Sequence, residues 1–267
     1  MRPKVVQRTV VLMSFDDSIA VELQRQRGLP WLDEEESALL LAVDARAFRT
    51  DALRTTRLFA ALLEELPVSV ALTGVEVARG FFTCKPFHHA ILTDRLLVDA
   101  FADWLLPRAG PTALLEQAIA LARRHRARRR LRLGALARAP GVELARLPTG
   151  TLASFAASRA DLQVRAGEVP LHEAVAAGAR VPAPVEQAGL EHVVVIDAID
   201  GARGAAAPGC SVCADDLFSL LAFARDGRSR VDVIQEARRL GADDDAQELV
   251  DDLVGEGLLR EGRAPSM

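Results

Sequence analysis

Several features are scarce or absent in this sequence of 267 residues, and some of these absences exclude a class of protein. Tyrosine is absent and lysine occurs only twice, so nearly all the positive charge is carried by arginine. The three cysteines are an odd number, which argues against a framework of disulfides. No apolar run approaches the roughly 20 residues that a membrane span needs, and no N-terminal segment is typical of a secretory signal. We therefore expect a cytoplasmic protein with no membrane partner.

The glycines form none of the motifs that hold phosphate groups. Neither G-x-G-x-x-G nor G-x-x-x-x-G-K occurs, and the G-x-S-x-G turn of hydrolases is also missing. The metalloprotease motif H-E-x-x-H is absent as well. The sequence contains none of these motifs for catalysis by this chain alone, so we predict no catalytic residue, no metal ligand and no cofactor in it.

The overall composition is that of a globular protein with a substantial core. Half of the residues are hydrophobic and 26% are charged. The net charge of −4 at pH 7 favours neither nucleic acid nor an anionic membrane as a partner. The length suits one large or two modest domains, and the mixture of patterns described below predicts the α+β class.

The first part of the chain, residues 1–130, is predicted to be a mainly helical domain. We interpret Val5–Met13 as a strand and Ser14–Arg27 as a short helix. From Asp33 to Arg130 the pattern is helical. A buried stripe with a period of about 3.6 residues is formed by Leu58, Phe59, Leu62, Leu63 and Leu66.

The middle part, residues 131–190, is predicted to contain β-structure and a loop-rich linker. Two apolar runs between Leu131 and Leu147 flank Ala139-Pro140-Gly141, which predicts a hairpin. Residues 165–190 are rich in alanine, glycine and proline and lack a clear period, which is typical of a linker.

The last part, residues 191–267, contains the elements of a winged helix. A strand is predicted at His192–Asp197 and a turn at Gly201–Gly209. A helix stop at Gly255–Leu259 leads into a short final strand. The three helical patterns between them are Leu217-Phe218-Leu220-Leu221, Val231-Ile234-Ala237-Leu240 and Ala246-Leu249-Val250-Leu253-Val254.

The charge of this module argues against DNA. In a winged helix that reads DNA, the third helix enters the major groove and carries basic or amide side chains. Residues 214–261 instead hold 13 acidic and 6 basic residues, a net charge of −7. Phosphate would be repelled, so we expect the module to bind a peptide or a protein.

The run Arg123–Arg132 holds seven arginines, and it fits a solvated helix end, internal ion pairs, a protein contact or nucleic acid.

The cysteines allow a second class of function. Cys210 and Cys213 form a C-x-x-C, and Cys84 lies near His88 and His89. Together they offer enough ligands for zinc, or a redox pair. Either chemistry stands beside the simpler reading of structural residues.

Two groups of residues resemble known families. The first extends over residues 31–160 and comprises Asp44–Asp51, Arg54, Arg57, Leu58, Leu62–Ser69, Phe81, Phe82, Phe87, His88, Ala90, Ile91, Phe101, Ala102, Trp104 and Leu105. It resembles the partner subunits of multinuclear non-heme iron-dependent oxidases. Such subunits assist the maturation of ribosomally made, post-translationally modified peptides, including the methanobactin and 3-thiaglutamate systems.

The second group comprises His192–Asp197, Asp215–Leu221 and Gly255–Leu259. It is similar to a leader-peptide recognition element shared with the chaperone of pyrroloquinoline quinone biosynthesis. The resemblance implies three strands and three helices, with a leader peptide bound as an added strand beside the sheet.

Together the two resemblances imply an accessory subunit, not an oxidase. The chain would bind the leader of a precursor peptide and present its core to a separate iron-containing barrel oxidase. Residues 1–130 would bind that partner. The predicted peptide-binding residues are Val193, Val195, Asp197, Leu249, Asp251, Asp252 and Leu253. The alternatives are a winged-helix transcription regulator and a zinc or redox protein that uses Cys84, Cys210 and Cys213.

Overall fold

The computed structural model describes residues 2–44, 52–124, 133–182, 188–197 and 209–262. Predictions for the motif residues 45–51, the arginine run at 125–132 and the turn at 201–208 lie outside these residues. The described chain is mostly helical and contains two small antiparallel sheets, so the predicted α+β class is confirmed. None of the helices within it is both long and apolar enough to cross a membrane.

The helices and strands follow one another in a helical first half and a mixed second half. The helices are α1 (Pro3–Met13), α2 (Asp17–Gln26), α3 (Glu34–Leu41), α4 (Ala52–Glu65), α5 (Pro67–Thr73), α6 (Val75–Arg79), α7 (Lys85–Thr93), α8 (Leu97–Ala109), α9 (Pro111–Arg124), α10 (Thr151–Ala166), α11 (Leu171–Ala176), α12 (Asp215–Phe223), α13 (Arg230–Ala237) and α14 (Ala246–Gly255). The strands are β1 (Ala135–Arg138), β2 (Val142–Pro148), β3 (Leu190–Ile196), β4 (Gly209–Cys213), β5 (Arg228–Ser229) and β6 (Leu259–Glu261).

The chain forms two compact units whose limits differ from the predicted domains. The first unit comprises residues 1–113 and 158–183, and the second comprises residues 114–157 and 184–267. The predicted middle part is therefore not a unit of its own. Its strands β1 and β2 belong to the second unit, while its residues 158–183 belong to the first.

The predicted strand at Val5–Met13 is wrong, because this segment forms helix α1. Proline at position 3 occupies the first turn, where a missing N–H group costs nothing. The buried residues Thr9, Leu12 and Met13 lie three or four positions apart, which is the helical period. The valines of the segment favour a strand locally, but the buried face of the helix decides the conformation.

A cluster of phenylalanines fills the core of the first unit. Their ring centroids lie 5.0 to 6.1 Å apart, mostly edge to face. The members are Phe15, Phe59, Phe81, Phe82, Phe87 and Phe101. The predicted α4 stripe is largely confirmed, since Phe59, Leu62, Leu63 and Leu66 are all buried.

A buried carboxylate fastens the beginning of the first unit. Glu36 and Asp33 form a capping box at the start of α3. The guanidinium of Arg2 donates to both carboxylate oxygens of Glu36, at 3.0 and 2.7 Å. These hydrogen bonds lower the pKa of Glu36 to about 2, with smaller contributions from the backbone N–H groups of Asp33 and Arg2.

The lowered pKa predicts a pH-dependent contribution to stability. It is fully present above the ordinary pKa of 4.5 and is lost as the pH falls toward 2. In urea unfolding followed by tryptophan fluorescence, Glu36→Gln should be less stable than the native chain at neutral pH, and this difference should shrink in acid. Glu34→Gln, at an exposed position of the same turn, is the control. A difference that does not change with pH would contradict the prediction.

The second unit contains both sheets, and the predicted hairpin does not form. One sheet has the order β5-β1-β6 and the other has the order β2-β3-β4, all antiparallel. The two predicted strands exist as β1 and β2, and Gly141 between them has a φ of 84° that suits glycine. The chain uses this turn to pass from one sheet into the other, so β1 and β2 do not pair with each other.

The core of the second unit lies between the sheet β2-β3-β4 and helices α12, α13 and α14. Val142 and Val194 contribute from the sheet, and Leu221, Val250 and Leu253 are among the contributors from the helices. Alternate residues of a strand point to opposite faces. Val194 and Ile196, two positions apart, therefore share the face of β3 that packs on this core.

Candidate functional site

The second unit has a largely exposed edge strand, β4. It pairs with β3 on one side, from His192↔Cys213 to Ile196↔Gly209. Within the described residues no strand lies on its other side. Its sequence, Gly-Cys-Ser-Val-Cys, contains no charge and no proline, and Val212 is 57% exposed. Most proteins block such edges with charges or proline, so β4 is open to an added strand.

The other outer strand of this sheet is protected. Among the described residues, β2 also has only one strand neighbour. It carries Glu143, Arg146 and Pro148 along its length, and these are residue types that disfavour pairing at an edge. The two edges therefore differ, and β4 is the one that carries no charged residue and no proline.

The predicted binding edge at Val193–Asp197 is wrong. This segment lies in β3, which pairs with β2 on one side and with β4 on the other. Its backbone groups are engaged in the sheet, and Val193 and Val195 are fully buried. Asp197 is also buried, and its N–H group donates to the carbonyl oxygen of Gly141. These three residues hold the sheet together and offer no surface to a peptide.

The remaining predicted peptide-binding residues lie on helix α14, some in the core and some at the surface. Leu253 is 3% exposed and belongs to the core, so its assignment to the binding surface is wrong. Leu249 is half-buried and packs against the same core, as does Cys213 of β4. Asp252 is exposed.

Asp251 has a structural role in the second unit. Its carboxylate accepts hydrogen bonds from Gln247 at 2.8 Å and from Arg230, which also approaches Glu261 of β6 at 3.7 Å. The hydrogen bond from Gln247, followed by the contact with Arg230, lowers the pKa of Asp251. Asp251 therefore joins α14 to α13, and its charge is already compensated within the protein.

An acidic surface borders α14. Between Leu240 and Leu259 the chain has seven acidic residues and no basic one. Asp243, Asp244, Asp245, Glu248 and Asp252 are all exposed. This surface attracts cations and repels phosphate.

A row of polar side chains crosses the sheet at the end of β4, and no motif in the sequence predicts it. Nε of Arg146 donates to Nε2 of His192 at 2.8 Å. Nδ1 of His192 lies 3.2 Å from Oδ1 of Asp215, the first residue of α12. The imidazole packs on Phe218 with a centroid separation of 4.4 Å. Arg146 and Asp215 are 69 positions apart along the chain, so only the folded structure shows that the three residues meet.

Cys210 and Cys213 do not form the redox pair that the sequence leaves open as an alternative. Cys210 and Cys213 lie three positions apart on a strand, which places their side chains on opposite faces. Cys84 belongs to the first unit, where it precedes α7. Burial raises the pKa of the Cys84 and Cys213 thiols, so both are protonated at neutral pH. Among the described residues no group of three or more potential ligands is arranged to hold a metal ion.

We expect the cysteines to be dispensable for folding. Replacing Cys84, Cys210 and Cys213 together by alanine should leave the far-ultraviolet circular dichroism essentially unchanged. Each loss is a half-buried sulfur, which costs about 1 kcal/mol or less. Metal analysis of the native chain is the companion measurement. One equivalent of bound zinc, with unfolding on chelation, would overturn this expectation.

Comparisons with protein-family models, curated proteins and solved structures return no match to this chain.

Proposed function

We propose that this protein is an accessory subunit that binds the leader of a ribosomally made precursor peptide and presents its core to a separate iron-dependent barrel oxidase. The observation that carries the proposal is the open, uncharged edge of β4. A leader added to this edge would form backbone hydrogen bonds with β4 and extend the sheet by one strand. The three strands β2, β3 and β4 and the three helices α12, α13 and α14 agree with the element that the sequence resembles.

Side chains of the bound leader would be selected on the helical face of the sheet. Along an added strand, every second residue points to the face that packs on the helices. Leu217, Leu249 and Val254 are half-buried around the core on this side. Partly exposed apolar groups of this kind accept apolar side chains of a peptide.

The charge of the second unit favours a leader that carries lysine or arginine. The acidic surface of residues 243–252 is exposed, and its attraction for cations falls as salt screens it. Tethering the leader raises the effective concentration of the core peptide at the oxidase. This entropic effect requires no catalytic residue in the chain.

The winged-helix form is the finer part of the proposal. The order α12, β5, α13, α14, β6 places a short strand before the second helix and another after the third. The middle strand of their sheet is β1, which comes from earlier in the chain. This arrangement also suits a transcription regulator, the second candidate function. The acidic α14 argues against it, and a gel shift with the DNA upstream of the gene distinguishes the two.

The leader-binding function is tested by titrating the full chain with the leader of a precursor encoded by a neighbouring gene. A fragment of residues 190–262 is unsuitable because it lacks β1 and β2. We expect binding that weakens with salt and with Glu248→Lys and Asp252→Lys, but not with Glu168→Lys, an exposed control in the first unit. Asp251 is left unchanged because it pairs with Arg230. Binding that ignores both charge reversals would remove support for the acidic surface, and no binding would refute the function.

The partner is tested by coexpression with the barrel oxidase of the same gene neighbourhood. We expect the two proteins to copurify as a 1:1 complex, with iron in the oxidase. Stoichiometric iron bound by this chain alone would contradict the assignment.

A further inference from the structure

The outer edge of β4 is complementary to a second copy of itself. The edge of a sheet presents backbone N–H and C=O groups that can pair with another chain. Gly209, Ser211 and Val212 are exposed, and none of the five residues of β4 carries a charge. Like charges that face each other across two strands are destabilising. Two copies of β4 can therefore meet without such a contact.

The carboxylates next to β4 favour an antiparallel direction for this pairing. Asp215 and Asp216 begin α12 just after the strand ends, and both are exposed. In a parallel pair, the acidic ends of the two copies would lie side by side. In an antiparallel pair they lie at opposite ends of the strands, farther apart than the screening length of about 8 Å. The antiparallel direction also continues the pattern of β2, β3 and β4.

An antiparallel pair of identical strands is related by a two-fold axis. Full overlap of the two strands places this axis at Ser211, so that Ser211 of each copy faces Ser211 of the other. Val212 then faces Cys210, and Gly209 faces Cys213. Only small or apolar side chains face one another in this register, so none of them prevents the two backbones from approaching.

The contact is too small for a permanent dimer. A strand pair of five residues buries less surface than the roughly 1,600 Å² of a standard interface. The exposed acidic surface of residues 243–252 also gives each copy a negative charge, and the two copies repel each other until salt screens that charge. Association through β4 is therefore weak, reversible and favoured by salt.

We propose that β4 is a self-association edge through which two copies of the chain pair antiparallel when no peptide is bound. The sheets β2-β3-β4 of the two copies then form one continuous sheet, with the two β4 strands at its centre. One consequence rests on the proposed function. A leader that binds to β4 must displace the second copy, so self-association and leader binding compete for the same edge.

The dimer is tested by sedimentation velocity of the full chain without peptide, from micromolar to millimolar concentration. We expect a monomer–dimer equilibrium that shifts toward the dimer as salt is raised. Val212→Lys places a charge on the edge and should leave only monomer. Val231→Lys adds the same charge at a valine of α13 that is 62% exposed, and it should dimerise like the native chain. A native chain that is monomeric throughout, or a dimer that Val212→Lys does not weaken, overturns the proposal.

The register is tested by cross-linking in a chain whose Cys84, Cys210 and Cys213 are replaced by alanine. Ser211→Cys should form a disulfide between copies on mild oxidation, because facing residues have Cα atoms about 4.5–5.5 Å apart. Val212→Cys is the matched control. Its two copies are diagonal neighbours, about 7–8 Å apart and out of reach. A disulfide with Val212→Cys alone, or with neither variant, overturns the pairing centred on Ser211.

Addition of the leader encoded by a neighbouring gene tests the competition. We expect the leader to convert the dimer into monomers that each bind one leader. Leader binding that leaves the dimer intact overturns the competition, while the dimer and the proposed function stand. Absence of leader binding at concentrations where the chain is monomeric refutes the proposed function, and sedimentation without peptide still decides the dimer.

Discussion

Replacing Arg138 by methionine is expected to lower the free energy of unfolding of the second unit by about 3–5 kcal/mol. Arg138 of β1 and Glu143 of β2 form an ion pair of 2.6 Å, and their side chains are only 9% and 10% exposed. The pair joins the two sheets on either side of the turn at Gly141. Methionine fills a similar volume but removes the ion pair of Arg138 with the buried Glu143 carboxylate, which is the costly change.

The double variant Arg138→Met, Glu143→Leu separates the ion pair from packing. Because both charges are removed, we expect it to recover most of the lost stability. Arg239→Met breaks a pair with Glu236 in the same unit whose arginine is 66% exposed, and it should cost less than about 1 kcal/mol. A double variant as unstable as the single one would show that packing, not charge, is what Arg138 supplies.

The measurement must distinguish the two units. Both tryptophans, Trp31 and Trp104, belong to the first unit. Tryptophan fluorescence therefore reports on the first unit and serves as the internal control. Hydrogen exchange of the amides of β1 and β2 reports on the second unit. Loss of protection there, with unchanged fluorescence, is the expected result.

Periodicity revealed the helices wherever a single buried face determines them. The stripe from Phe59 to Leu66 appears in the sequence because its residues are neighbours on one turn after another. Helix α1 carries the same signal at Thr9, Leu12 and Met13. In α1 the β-branched valines led us to predict a strand. In the folded chain, however, the burial of one helical face outweighs this local preference.

The partners of each strand could not be predicted from the sequence. The turn at Gly141 was correctly located, but its flanking strands pair with partners far along the chain: Leu136 with Arg228 and Glu261, and Leu144 with Val194. A single sequence contains no information about such partners unless a short turn connects them. The same limitation placed the predicted binding edge on β3, which is the central strand of its sheet. His192–Asp197 is the more apolar strand because it is the central one, and an edge strand such as Gly209–Cys213 has a weaker apolar pattern.

The outward-facing edge of β4 leads to a further prediction about peptide binding. Along β4 the backbone N–H groups of successive residues point alternately toward β3 and away from it. Of the variants Ser211→Pro and Val212→Pro, one removes a hydrogen bond to β3 and the other removes only an outward donor. We expect the variant that loses the hydrogen bond to β3 to destabilise the second unit. The variant that loses only the outward donor should remain folded. It should bind the leader roughly 10- to 100-fold more weakly, because the lost donor and the bulk of the ring both oppose an added strand.

Ser211→Ala and Val212→Ala keep both N–H groups and are the matched controls. Hydrogen exchange of β3 identifies the folded proline variant, and full affinity in that variant would exclude β4 as the place where the peptide binds.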